Sequence, residues 1–138
     1  MFSDEEISKL AAEIDIQLLE LKSQSIDAPL KSVDKLSQLT KQNLAIEHAT
    51  GEPADSFLKK FWRSAKADLC EEGGTLNSQW KKWGDLDNKD MLTAFGLLFP
   101  SLGLEGSLAG TVAIAVSVII LNIGVKTFCE EYGDRESI

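Results

Sequence analysis

The chain carries one histidine, two cysteines and three pairs of adjacent glutamates, and the chemistry open to it depends on where these fall. His48 has no second histidine and no thiol near it in sequence, whereas a zinc or nucleophile site needs several such groups to converge. Its place at the end of an apolar stripe is one where a helix C-terminus favours positive charge. Glu5-Glu6, Glu71-Glu72 and Glu130-Glu131 sit at helix ends or on wet faces, so solvation accounts for them better than acid–base catalysis. Residues 85–90, DLDNKD, begin like a calcium loop and then depart from it. Counting from Asp85, the fifth, sixth and twelfth positions are Lys89, Asp90 and Gly96, where such a loop needs an oxygen ligand, glycine and glutamate. A turn in which Asp87 or Asn88 caps the next helix is the simpler reading. There is no Gly-rich phosphate loop, no Cys/His metal spacing and no nucleophile beside a base. The expectation is a non-enzyme, with no catalytic residue, cofactor or metal.

Binding chemistry has more to work with. Lys59, Arg63 and Lys66 step along one helix face with Lys60 beside them, and Lys81 and Lys82 lie between Trp80 and Trp83. Cations interleaved with aromatic rings suit a membrane–water interface, where long cationic stems and indole rings both meet the headgroup layer. They suit equally a helix whose Phe57, Phe61 and Trp62 are core and whose lysines are solvated. Lys59, Arg63, Lys66, Trp80 and Trp83 are therefore the candidate interaction or membrane-interface residues. The formal net charge of −8 and pI near 4.6 argue against nucleic acid as a partner, because phosphate-backbone binding rests on an excess of clustered cations.

These residues must be positioned by helices. Ser3 and Glu6 form a capping box, followed by Ile7, Leu10, Ala11, Ile14, Leu18 and Leu21 at helical spacing, with a loop expected over 23–28. Pro29 predicts the start of a second helix bearing Leu30, Val33, Leu36, Leu39, Leu44 and Ile46, which ends at Gly51. A third begins at Pro53 and runs towards Gly73-Gly74. A short segment carries the Trp80–Trp83 pair, and a nearly all-apolar helix from Met91 stops before Pro100.

The dominant stretch is 106–125, GSLAGTVAIAVSVIILNIGV, which holds no charge and has the length of a bilayer's hydrocarbon core. It predicts a helix continuing to Tyr132, surrounded either by lipid or by the rest of the protein. Gly106, Ala109, Gly110, Ala113 and Ser117 put small residues on neighbouring ridges and are the candidate helix-packing residues. Asn122 and Gly124 favour protein surroundings, since Asn in lipid wants a hydrogen-bond partner.

The whole chain, 1–138, reads as one all-α domain, a bundle of about five to six helices. Residues 1–90 are amphipathic helices, 91–132 a hydrophobic helical hairpin and 133–138 an acidic tail. In outline this resembles the pore-forming domains of colicins and the Bcl-2 fold. The likeness lies in hydropathy over roughly 91–132 alone, and bulky Ile14 between Leu10 and Asp15 departs from the leucine, small residue, aspartate order of the Bcl-2 interaction helix. The expected function is a non-catalytic interaction or regulatory module with the hydrophobic helix as its axis. The alternatives are a membrane-anchored domain spanning with 106–125, and a bundle that inserts its hairpin into a membrane. A protein partner or self-association, including a dimer, is expected. The widely spaced cysteines and acidic N-terminal stretch predict a reducing, cytoplasmic location, with membrane association as the variant.

Overall fold

The computed structural model describes residues 2–27, 39–84 and 86–137, which form seven α-helices and one 3₁₀ turn, with no strand among them. The helices are α1 (Asp4–Asp27), α2 (Thr40–Thr50), α3 (Ala54–Leu69), α4 (Thr75–Trp83), α5 (Asn88–Leu98), α6 (Gly106–Ile123) and α7 (Val125–Ser137), with the 3₁₀ turn Phe99–Leu102 after α5. The all-α bundle expected from periodicity is the fold observed.

Local signals set several boundaries as expected. The Glu6 amide donates to Ser3 Oγ and the Ser3 amide to Glu6 Oε1, each at 3.1 Å, so both halves of the capping box close. Asp87 Oδ1 accepts from the amides of Lys89 and Asp90, at 2.8 and 3.2 Å, and starts α5. Gly51, with φ 74°, ends α2 in the left-handed conformation that glycine adopts without steric cost. Elsewhere the boundaries differ from those composition predicts. α1 runs through the polar 23–27 stretch to Asp27. Pro29, Leu30, Val33 and Leu36, which predict an early start for the second helix, lie outside the described residues.

The largest departure is at Gly124. The helix expected to run unbroken to Tyr132 stops there, and a separate α7 continues to Ser137 through residues assigned to an acidic tail. Gly124 has φ 99° and ψ 137°, a conformation that side chains with a Cβ rarely adopt. The break redirects the chain so that Phe128, four residues on, is wholly buried.

The core is built around α6, which packs against α1, α2, α5 and α7. Residues 112, 113 and 115–120 of α6 are buried. Gly110 faces α1, where a Cβ would lie in ordinary contact, 3.4 Å from Leu10 Cδ2. A second focus is Phe61 of α3, whose ring meets Phe95 edge-on at 4.8 Å and lies 6.1 Å from Phe99 and 6.3 Å from Phe128. Rings from four elements, α3, α5, the 3₁₀ turn and α7, therefore converge at one point, in the tilted and edge-on arrangements that ring quadrupoles favour. Between α1 and α2 the buried Gln42 donates from Nε2 to Gln17 Oε1 at 2.8 Å, and Gln17 Nε2 donates to Glu13 at 3.0 Å. This amide chain ties the two outer helices together where an apolar pair would carry no directional bond.

Candidate functional site

The basic and aromatic residues of α3 and α4 divide into separate roles. On α3, Phe57, Leu58, Phe61, Trp62 and Ala65 point inward, leaving Arg63 and Lys66 exposed on the other face. Part of that face is neutralised by its own acids: Lys59 lies 3.6 Å from Asp55, and Lys60 2.9 Å from Glu52. Lys66 Nζ sits 5.2 Å from the centre of the Trp62 ring, a cation–π arrangement that covers the edge of the core.

Trp80 and Trp83 are not equivalent. The Trp80 indole N–H donates to the Leu69 carbonyl at 2.8 Å, and Asn77 Nδ2 donates to the same oxygen at 3.2 Å. Two α4 side chains thus satisfy a carbonyl at the open C-terminal end of α3, where no intrahelical donor remains. Trp83 projects into solvent with 70% of its surface exposed, and Lys82 Nζ lies 5.0 Å from its ring centre. Gly74 allows the turn between α3 and α4, because a Cβ there would fall 2.3 Å from the Asp68 carbonyl oxygen.

The candidate packing residues also divide. Ala109, Ala113 and Ser117 are buried, and Gly110 faces Leu10. Gly106 does not belong with them: it is exposed, nothing stands within 4 Å of where its Cβ would be, and its φ of 63° shows that it serves the turn into α6. The Ser117 hydroxyl and the Trp62 indole nitrogen are buried without a hydrogen-bond partner.

Several clefts are lined by described residues. One of about 540 Å³ lies between the end of α4 and the α6–α7 junction, lined by Trp80, Lys81, Gly84, Leu121, Gly124, Val125 and Lys126. A second, about 340 Å³, has an apolar floor from Leu58, Ile119 and Ile123 and carries Glu47, Asp55 and Glu131. A third, also about 340 Å³, lies between the N-terminus and the start of α6, beside Phe2, Gly96 and Phe99. A Cβ on Gly96 would meet the Phe2 ring at 2.8 Å, a contact between the segment before α1 and α5 that no local pattern announces.

His48 is exposed in the last turn of α2. Around the calcium-like segment, Asp87 caps α5, Asp90 accepts from Gln79 at 2.7 Å and Asn88 donates to Asp15 at 2.8 Å. Among the described residues no group of three or more His, Cys, Asp or Glu could hold a metal ion. Among the described residues Glu6 is the group whose ionisation is clearly displaced: hydrogen bonds from the Ser3 amide and then its hydroxyl hold the carboxyl below its ordinary value.

The two cysteines meet. Cys70, at the end of α3, and Cys129 of α7 form a disulfide with Cα atoms 5.6 Å apart, across 59 residues of sequence. Their wide spacing gives no hint of this. The sequence matches no protein-family model, and neither a curated protein nor a solved structure matches it.

Proposed function

We propose that the chain is a non-catalytic helical contact module that keeps its membrane-length helix as an internal axis and meets protein partners, or a second copy of itself, through its outer surface. One observation carries this reading: residues 112, 113 and 115–120 of α6 are buried against the chain's own α1, α2, α5 and α7. A helix released into lipid would surrender that packing, and Asn122 would need a hydrogen-bond partner in hydrocarbon. His48, Glu5, Glu71 and Glu72 lie exposed, Glu6 is occupied as a cap, and Glu130 and Glu131 lie within α7 with no nucleophile or second base beside them in sequence, so none of them supports a chemical step.

The disulfide favours an oxidising compartment over the cytoplasmic location expected from the sequence, because cytosolic thiols are held reduced. Membrane association is the second reading, and Trp83 favours it: an exposed indole stacked with Lys82 and next to Lys81 suits peripheral contact with headgroups. In that form the bundle approaches a membrane closed, with α6 still inside.

Amide hydrogen exchange in buffer without detergent tests the proposal. The amides of 112–120 are expected to be the slowest in the chain, with rates that neutral vesicles leave unchanged. Rapid exchange that slows only when vesicles are added would overturn it in favour of an anchor.

A further inference from the structure

We infer that the cleft between α4 and the α6–α7 junction is a binding site for a single-chain anionic amphiphile, a fatty-acid-like molecule taken up from solution. This goes beyond the contact-module reading and rests on it, because the cleft exists only where α6 passes into α7 in the closed bundle. Its floor is apolar: Leu121 and Val125 are half-buried there beside the Trp80 ring, so the most hydrophobic helix in the chain comes to the surface at this end. Gly84 and Gly124 line it with no side chain, which leaves the groove open along the backbone. At about 540 Å³ it falls within the range of roughly 300–1,000 Å³ that small-molecule sites occupy.

The rim selects for charge. Lys81 and Lys126 border the cleft, and no carboxylate lines it among the described residues, in a chain of net charge −8. Lys81 Nζ lies 5.9 Å from the centre of the Trp80 ring, over the aromatic wall. Lys126 is 4.0 Å from Glu130, an exposed pair one helical turn apart and weak for that reason. The first turn of α7 holds no acid, but its positive dipole end is met by the C-terminal ends of α4 and α6 at Gly84 and Gly124, so the charge of the rim is that of its two lysines. A carboxylate head would meet the two lysines at the rim while its alkyl chain covers Leu121, Val125 and Trp80. A neutral amphiphile would use the floor without the rim, and a short carboxylate the rim without the floor. The cleft carrying Glu47, Asp55 and Glu131 has an apolar floor but the opposite charge, so apolar surface alone does not define the site.

The test is a titration of the ¹⁵N-labelled full chain with sodium dodecanoate below its micelle concentration, following the Gly84 and Gly124 amides. Both are expected to shift saturably, and at least tenfold more ligand should be needed for the Lys81→Gln/Lys126→Gln double variant. Dodecyl maltoside should bind at least tenfold more weakly and acetate should leave both amides in place. Lys82→Gln, outside the cleft, should keep the affinity within twofold. The inference is overturned if the glycines do not respond, if the maltoside or the double variant binds as tightly as the native pair, or if a response needs anionic lipid in vesicles. A spectrum without native dispersion before any ligand counts against the closed bundle; a well-dispersed one with unresponsive glycines counts against the site alone.

Discussion

Cys70 at the end of α3 and Cys129 in the second turn of α7 are bonded across 59 residues, and the closed loop contains α4, α5 and the whole of α6. The hydrophobic axis, partly buried by packing, therefore also lies within a covalently closed loop of the chain. A cross-link of this span removes loop-closure entropy from the unfolded chain, which stabilises by on the order of 2–4 kcal/mol. Reduction, or Cys70→Ser with Cys129→Ser, is expected to lower the thermal midpoint by an amount in keeping with that loss. Identical melts with and without reductant would show that the two thiols are not joined in the protein.

Gly106 and Gly110 share a small-residue pattern, but their environments predict opposite responses to alanine. At Gly106 the φ of 63° makes a Cβ costly, about 1–2 kcal/mol. At Gly110 the new methyl meets only the flexible end of Leu10 at 3.4 Å, and the gain in helix propensity, about 1 kcal/mol, offsets the crowding. Denaturant titration should find Gly106→Ala clearly destabilised and Gly110→Ala near neutral. The reverse order would restore Gly106 to a packing role.

Ala113 tests the closeness of the axis. It is fully buried at the centre of α6, so Ala113→Leu overpacks the bundle and is expected to cost about 1–3 kcal/mol. An unchanged melt in plain buffer would mean that this face of α6 is not packed.

The Ser3–Glu6 cap gives a prediction in pH. The folded pKa of Glu6 is depressed, so its contribution is present above the unfolded value and is lost as pH falls through the folded one. A carboxyl-carbon titration should find Glu6 ionising at lower pH than in Ser3→Ala, where both side-chain and amide bonds to the cap are weakened. Coincident titration curves would contradict the cap.

What was legible in the sequence follows from the range of the interaction. Ser3 with Glu6, Asp87 at the start of α5 and Gly51 at the end of α2 act within a few residues, and each sets a boundary where its type predicts. Leu44 shows the limit of periodicity: it continues an apolar stripe, yet it is exposed while Gln42 is buried, because the Gln17 amide on α1 supplies Gln42 with a partner. Gly124 reads like any glycine tolerated in an apolar helix, and only the packing of Phe128 and the meeting of the cysteines explain why it breaks the chain there. The candidate site is intermediate. Its cations and tryptophans stand out in the sequence, but Trp80's bond to Leu69 and the arrival of Lys126 beside Lys81 depend on how α6 and α7 join.

Fractionation without detergent reports whether α6 is buried by the chain itself. The full-length chain is expressed untagged, the lysate is spun hard and the supernatant is run on a sizing column. The protein is expected in the supernatant, eluting as a compact monomer or dimer, as a helix covered by α1, α2, α5 and α7 requires. Recovery in the membrane pellet, resistant to high salt and alkaline washing, would contradict the account and make residues 106–123 an anchor.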